Sequence, residues 1–177
     1  LSQWLEHWVR TGNQIILSQN FANKISGATS NEADVGSKQI NLTSLFQLSE
    51  IYSSALYDNQ GKILAPNNLS IQLTEDWKEK VDAVIKKKTV HIGTFTYRNK
   101  NWYVEIGLPI LNESSELVGV YIMSVNATEI IAKVLKNRTS SNQSYDQMAI
   151  LQKEGTDWYG ISANQMNQPV KLSHNPE

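Results

Sequence analysis

The hydrophobic positions at the start of the chain recur at the spacing of an α-helix. Across residues 3–26, apolar or small residues follow one another by three or four positions and form one stripe, which includes Trp4, Trp8 and Ile15. This pattern predicts a single amphipathic helix that packs on a core or, in a second interpretation, also forms a dimer seam. Gly12 lies near its middle and is expected to weaken the helix by up to about 1 kcal/mol.

Farther along the chain, the hydrophobic pattern alternates between the period of a strand and the period of a helix. It predicts hairpins at 50–65 and 89–110, a strand at 117–125, helices at 41–49, 75–88 and 127–137, and loops at 27–40, 66–73 and 137–147. Gly61 supplies the first hairpin turn, and Asn126 caps the helix that follows the last of these strands. The order of elements predicts an α+β fold in which helices flank an antiparallel sheet, behind a long N-terminal helix.

The C-terminal part of the chain repeats an earlier pattern. Residues 147–162 predict a strand, a turn and a strand, as residues 50–65 do, and the polar residues after them predict no third strand. We therefore expect one domain at 1–137, followed at 138–177 by the start of a second, incomplete module or by a C-terminal extension. The chain begins with Leu1 and shows neither a signal pattern nor a run of about 18 apolar residues, so we expect a piece of a longer protein.

Composition excludes several classes of function. The 177 residues carry 16 Lys and Arg against 17 Asp and Glu, and a net charge of −1 offers no basic surface for nucleic acid. There is no Cys, which excludes disulfides and zinc-thiolate sites, and His7, His91 and His174 do not have the spacing of metal ligands. No catalytic or phosphate-binding motif is present, so we predict neither an enzyme nor a metal or cofactor.

Two stretches of the chain resemble the Cache family of PAS-like extracytoplasmic sensors. ALYDNQGKILA (55–65) is similar to a strand-turn-strand of that family. YVEIGLPILNESSELVGVYIMSVNATEII (103–131) is similar to its signature, in which a strand ending in Pro, an acidic turn, a Gly-Val strand and a helix follow one another. The resemblance implies a PAS-like central antiparallel sheet, and the repeat at 147–162 implies a tandem, double-Cache sensor.

The resemblance also implies a function and a location. Such a domain lies outside the inner membrane, as the periplasmic part of a membrane-anchored histidine kinase, diguanylate cyclase or chemoreceptor. It binds a small solute, or a periplasmic binding protein, and relays the change across the membrane. A homodimer through the N-terminal helix is expected. The alternative is a protein-interaction module of the same fold that senses a periplasmic partner protein and has no small-molecule pocket.

The sequence departs from the amino-acid-binding members of this family. Those members carry an Arg two positions before a Trp, a Tyr directly after it, and an Asp late in the Gly-Val strand. Here Trp77 matches, but Glu75 stands for the Arg, Lys78 for the Tyr and Ser124 for the Asp. Because the groups that hold the ligand's carboxylate and amine are both missing, we do not predict an amino-acid ligand.

Candidate ligand-binding residues lie on the strands and on the helix that the resemblance places around a pocket. Aromatic side chains with polar tips suit the walls of such a site. The candidates are Trp77, Phe95, Tyr97, Tyr103, Glu105, Tyr121 and Ser124.

Each candidate also has a purely structural interpretation. Alternation along the strand predicts that Tyr103 and Glu105 share the face opposite a core face, and solvent is favoured over a pocket for Glu105. Tyr121 and Ser124 are predicted on opposite faces of their strand, so at most one of them lines a given face. Trp77 is favoured as a core residue. His91, whose ordinary pKa lies near neutrality, is either a pH sensor or an exposed residue without a role.

Overall fold

The structure is a computed structural model that describes residues 1–29, 50–66, 75–139, 148–154, 157–162 and 170–171. Its helices and strands are α1 (Ser2–Ser18), α2 (Phe21–Thr29), β1 (Ile51–Asp58), β2 (Ile63–Pro66), α3 (Glu75–Lys87), β3 (His91–Arg98), β4 (Asn101–Leu111), β5 (Leu117–Asn126), α4 (Thr128–Thr139), β6 (Met148–Glu154), β7 (Asp157–Ser162) and β8 (Val170–Lys171). The predicted helix at 41–49 and most of the three predicted loops lie outside the described residues.

The predicted α+β fold is confirmed. Strands β1 to β5 form an antiparallel sheet in the order β2-β1-β5-β4-β3, with helices flanking it. The chain divides into two compact units. The first unit comprises Ser2–Gly93 and Glu105–Val125, and the second comprises Leu1, Thr94–Val104 and Asn126–Glu177. The predicted domain boundary at 137/138 stays a prediction.

The N-terminal helix of the first unit is broken, which corrects the single helix predicted at 3–26. α1 ends at Ser18, and Asn20 adopts a φ of 54° before α2 begins at Phe21. Asn tolerates this left-handed conformation better than most residues. The Asn20 amide donates to the Leu17 carbonyl at 3.0 Å, which satisfies one of the carbonyls that the end of α1 exposes.

Gly12 has a role in packing that its helix propensity did not indicate. It is buried in α1, and a Cβ at this position would collide with the side chain of Leu108 and approach Cε of Met123 to 3.0 Å. Leu108 and Met123 belong to β4 and β5 and are fully buried. The missing side chain therefore allows α1 to lie close against the sheet.

The opposite face of the sheet in the first unit carries α3. The predicted stripe of this helix meets the sheet in one buried cluster, made of Trp77, Val81 and Val84 from α3 with Ala55, Tyr57, Val120 and Ile122 from β1 and β5. The predicted hairpin at 50–65 is confirmed as β1 and β2. Its turn is held by Asp58, whose carboxylate accepts from the amides of Gln60 at 2.9 Å and Lys62 at 2.8 Å.

The second unit contains the tip of the β3–β4 hairpin and the start of α4. Asn99 and Lys100 both have positive φ angles, of 50° and 63°, as a two-residue type I′ turn requires. Asn126 caps α4 as predicted, because its Oδ1 accepts from the Thr128 amide at 2.9 Å. The Thr128 hydroxyl also accepts from the amide of Trp102 at 2.9 Å, which joins the helix start to β4.

A second sheet of the same unit corrects the prediction for the C-terminal residues. Strands β6 and β7 pair antiparallel, as predicted, from Met148 opposite Ser162 to Glu154 opposite Asp157. A third strand, β8, pairs with β7, contrary to the prediction of none. This strand consists only of Val170 and Lys171, and so short a pairing uses backbone groups and needs no apolar stripe.

Two glycines in the first two helices test the close approach of α1 to the sheet. We expect Gly12→Ala to destabilise the fold by about 1–3 kcal/mol because the new methyl group overpacks the core, although Ala favours a helix. Gly27→Ala in α2 is the control: apart from its chain neighbours and its own helix backbone, no atom of the described residues lies within 4 Å of its new Cβ, so helix propensity should stabilise it by up to about 1 kcal/mol. Urea denaturation measures both, and equal effects of the two changes would contradict the close approach.

Candidate functional site

The two faces of the sheet in the first unit differ in character. Side chains that contact α1 and α2 include Leu108, Met123 and Tyr121, and the face beneath α3 carries the cluster with Ala55 and Ile122. Because side chains alternate along a strand, Ser53, two positions before Ala55, and Ser124, two positions after Ile122, continue the α3 face. That face therefore extends from an apolar cluster into a set of polar residues.

A polar row crosses three strands of the α3 face; its members are Ser53, Ser124 and Glu105. Ser53 of β1 lies directly opposite Ser124 of β5. Gly107 of β4 lies beside Ile122 of β5, because a Cβ on Gly107 would stand 3.7 Å from Cγ1 of Ile122. Glu105 lies two residues before Gly107, and Ser124 lies two residues after Ile122. Because the strands are antiparallel, these two residues are again neighbours and lie on the same face. The row thus runs across β1, β5 and β4.

All three members of the polar row are buried. Ser53 is 2% exposed, Ser124 0% and Glu105 2%. Solvent exposure, which was favoured for Glu105, is therefore wrong. The hydroxyl of Ser53 has no hydrogen-bond partner in the described part of the chain. Buried hydroxyls are nearly always paired in native proteins, so this group has capacity for a further partner.

Lys80 supplies the charge that Glu105 requires. Its Nζ donates to Oε2 of Glu105 at 3.2 Å, and the two side chains are 16% and 3% exposed. An unpaired carboxylate at this depth would be strongly unfavourable, so the ion pair holds the charge on the α3 face. The sequence patterns did not identify Lys80, although its position three residues after Trp77 places it beside the helix stripe and could have indicated it.

Tyr121 lies on the other face of the sheet, as alternation predicted. Its ring packs against Phe21 of α2 with the centroids 5.7 Å apart. Burial raises the pKa of Tyr121 to about 12, and the nearby Ser54 acts in the opposite direction. No partner of hydrogen-bonding geometry for the Tyr121 hydroxyl is present among the described residues. The structure therefore separates Tyr121 from Ser124, Glu105 and Trp77.

In the second unit, the candidates Tyr97 and Tyr103 make different contacts. The ring of Tyr97 packs on Trp102 with the centroids 5.2 Å apart, and the guanidinium of Arg98 lies 4.8 Å from the centroid of Tyr103. Since Trp102 and Tyr103 are consecutive in β4, Tyr97 lies on the face opposite Tyr103. Phe95, two residues before Tyr97, is buried at 7% exposure and Tyr103 at 3%.

His91 lies at the start of β3, in a positively charged environment. Desolvation lowers its pKa below the ordinary 6.5, and the charges of Lys80 and Lys87 lower it further. Its imidazole is half-buried, so the interpretation as a fully exposed residue is wrong. The lowered pKa makes neutral His91 the form that the fold favours.

An open groove of 650 Å³ lies elsewhere on the first unit, along α1 and the start of β3. It is lined by Ser2, Leu5, Glu6, Val9, Arg10, Val90 and Ile92. None of the seven candidate ligand-binding residues lines it. Val90 and Ile92 are large hydrophobic residues that are 38% and 42% exposed. The groove has the composition of an apolar surface with one charge of each sign on α1.

Metal binding and membrane crossing each require a feature that can be recognised from geometry. No group of three or more His, Asp or Glu side chains is arranged to hold a metal ion in the described residues. Within the same residues, no helix combines the length and the apolar character needed to cross a membrane.

Comparison with known proteins gives a likeness in fold. No protein-family model matches the chain, and no curated protein is similar to it in sequence. The chain is similar to a solved structure described as the ligand binding domain of Mlp24 with asparagine. The match covers 93% of this chain and 88% of that chain, at 11% identity and a TM-score of 0.40. The asparagine belongs to that protein and indicates nothing about a ligand here.

The pKa of His91 provides a test of the charge arrangement on the α3 face. We expect NMR titration to give a pKa below 6.5, and Lys80→Met to raise it because a nearby positive charge is lost. Lys86→Met, an exposed lysine of the same helix, should leave it unchanged. Since the unfolded state binds the proton more tightly, His91 should lower stability as the pH falls through 6.5, until the folded-state pKa is passed. A pKa that is insensitive to Lys80→Met would contradict this arrangement.

Proposed function

We propose that the chain is an extracytoplasmic ligand-sensing domain of a bacterial signal-transduction receptor, in which a small solute binds on the α3 face of the sheet. The receptor would be a membrane-anchored histidine kinase, diguanylate cyclase or chemoreceptor that relays the change across the inner membrane. The resemblance in the sequence supports the class of protein. The observation that carries the proposed site is the buried polar row, in which the Ser53 hydroxyl has no hydrogen-bond partner among the described residues.

A buried polar row of this kind is unusual for a face that serves only as core. The neighbouring positions on the same strands, Ala55 and Ile122, are apolar and pack directly against α3. A core built for stability alone would continue this apolar packing, since buried ion pairs seldom stabilise more than apolar residues do. Convergent polar groups beside an apolar wall are typical of small-molecule sites.

The predicted ligand-binding residues differ in how well the geometry supports them. Glu105, Ser124 and Trp77 lie on the α3 face and are retained in the proposed site, with Ser53 and Lys80 added. Tyr103 belongs to the second unit and stays a prediction. Tyr121 lies on the opposite face of the sheet, and Phe95 and Tyr97 belong to the second unit, so we do not assign them to this site.

A second candidate function has its own observation. The open groove along α1 exposes Val90 and Ile92, and Glu6 and Arg10 lie on the helix beside it. An exposed apolar surface of this kind suits a protein contact, either the predicted homodimer through the N-terminal helix or a periplasmic partner protein. In that case the domain would sense a protein and the α3 face would remain closed.

The proposed site is tested by a ligand screen combined with a variant that should not lower the stability of the ligand-free domain. A panel of carboxylates, polyamines, amino acids, nucleobases and sugars is screened by thermal shift. A ligand at 100 times its dissociation constant should add about 2.7 kcal/mol of stability, or roughly 5–10 °C. Ser53→Ala should leave the ligand-free stability unchanged or slightly raised, because the lost hydroxyl has no partner in the described part of the chain, yet it should weaken the ligand's effect.

Ser114→Ala is the matched control for this experiment, since Ser114 is exposed in the turn between β4 and β5. The control should retain the full ligand-induced shift. No shift with any compound of the panel, or a shift that Ser53→Ala and Ser124→Ala leave intact, would exclude the proposed site. The partner-protein function would then be favoured.

A further inference from the structure

The two members of the Lys80–Glu105 ion pair are unequally held. Glu105 is fixed in β4 and its side chain is 3% exposed, whereas the side chain of Lys80 reaches the pair from α3 and is 16% exposed. A lysine carries its charge at the end of a flexible four-carbon stem and lacks the rigid fork of an arginine. Lys80 is therefore the member that can leave, because its ammonium can move from the carboxylate into solvent.

The backbone next to the Lys80–Glu105 ion pair carries no side chain on the side that faces the pair. Gly93 of β3 lies next to both members: a Cβ there would stand 3.2 Å from Cε of Lys80 and 3.7 Å from Oε2 of Glu105. The shorter of these contacts is tighter than ordinary van der Waals packing, so a side chain at this position would compete with the lysine stem. When the stem leaves, the volume that it filled next to the carboxylate becomes available to another group.

A second polar group, the Ser53 hydroxyl, lies on the same face, and the strand order sets its distance from Glu105. Ser53, whose buried hydroxyl has no partner within the residues that the structure describes, belongs to β1, and Glu105 belongs to β4. β5 lies between these two strands, so they are separated by two inter-strand spacings, or about 10 Å. A small molecule lying across the sheet could therefore contact the carboxylate at one end and reach toward the hydroxyl at the other.

We propose that Glu105 recognises the primary ammonium group of a ligand, and that Lys80 occupies this place until the ligand displaces it. This inference rests on the proposed function and specifies the ligand class: a small cation with a primary ammonium and a second hydrogen-bonding group. The exchange replaces one ammonium by another, so the buried carboxylate remains paired in both states. It needs no group that holds a ligand carboxylate, which agrees with the absence of the Arg that amino-acid-binding sensors carry.

Chemical rescue tests the exchange. Lys80→Ala removes three carbons and the ammonium, which are the atoms of propylammonium. We expect the variant to melt at a lower temperature than the unaltered domain, and propylammonium to restore part of this loss. Equal concentrations of 1-propanol or of sodium chloride should not. Lys78→Ala, an exposed lysine of the same helix, should show no response to the amine, and neither should the double variant Lys80→Ala/Glu105→Gln.

Binding measurements give an independent test that does not depend on Lys80→Ala folding. Lys80→Gln keeps a hydrogen-bonding side chain but removes the competing ammonium. If the pair is closed nine-tenths of the time, 4-amino-1-butanol should bind this variant about tenfold more tightly than the unaltered domain. Glu105→Gln should abolish the binding. Calorimetry measures all three affinities under matched ionic strength.

The outcomes separate this inference from the proposed function. Loss of stability in Lys80→Ala without selective rescue by propylammonium, together with equal affinities in the calorimetry, would show a purely structural ion pair and overturn the inference. A neutral or anionic ligand from the screen whose affinity Lys80→Gln leaves unchanged would also overturn it, while the proposed function would stand. If no compound binds, so that there is no ligand response for Ser53→Ala to alter, the inference and the proposed function are both overturned.

Discussion

The charge of Glu105 constrains the arrangement of the whole α3 face. An ionised carboxylate in the middle of a strand, with almost no exposure, is strongly unfavourable unless a cation or hydrogen-bond donors lie within reach. α3 brings Lys80 to that place because Trp77, Val81 and Val84 anchor the helix on β1 and β5. The apolar cluster fixes the position of the helix, and the ion pair fixes what lies next to the cluster. The packing of the cluster and the pairing of Glu105 therefore depend on the same helix position.

The sheet separates two kinds of contact in the first unit. On one face, α1 and α2 pack through apolar contacts, and the bare backbone at Gly12 lets α1 approach Leu108 and Met123. On the other face, packing under α3 is apolar at Ala55 and Ile122 but polar at Ser53 and Ser124. The first arrangement is that of a core, where close packing contributes most of the stability. The second gives up part of this packing for buried polar groups.

The sequence predicted the parts of the fold that depend on local patterns. Hydrophobic period and turn residues placed α3 and the hairpins, and alternation placed Tyr121 and Ser124 on opposite faces. The break at Asn20 was not predicted, because the apolar stripe continues through it and only the backbone conformation changes. The contact role of Gly12 was missed for a related reason: a helix propensity describes an isolated helix, whereas the space at Gly12 is set by residues about 100 positions away.

The candidate site was predictable only in part, since its members meet through pairing between strands. Glu105 and Ser124 were identified from their strands, but periodicity could not decide between solvent and a buried face. Ser53 lies in a Ser-Ser pair within a strand, where alternation gives one serine to each face without indicating which of them has no partner among the residues described. Lys80 is one of several lysines in α3, and only the register of the helix over β4 distinguishes it from the exposed Lys78.

The interaction of Lys80 with both Glu105 and His91 would couple the proposed ligand exchange to the protonation of His91. Lys80 lies close enough to His91 to lower its pKa, and it is paired to the carboxylate that the proposed ligand would occupy. In the proposed exchange the ligand ammonium takes the place of the Lys80 ammonium, and the lysine charge moves outward but stays attached to α3. The neighbourhood of His91 then holds one more positive charge than before, which disfavours protonated His91. By linkage, protonation of His91 must disfavour the cation by the same free energy. A domain that recognises an ammonium group in this way would therefore bind it more weakly in acid, without any residue outside the α3 face taking part.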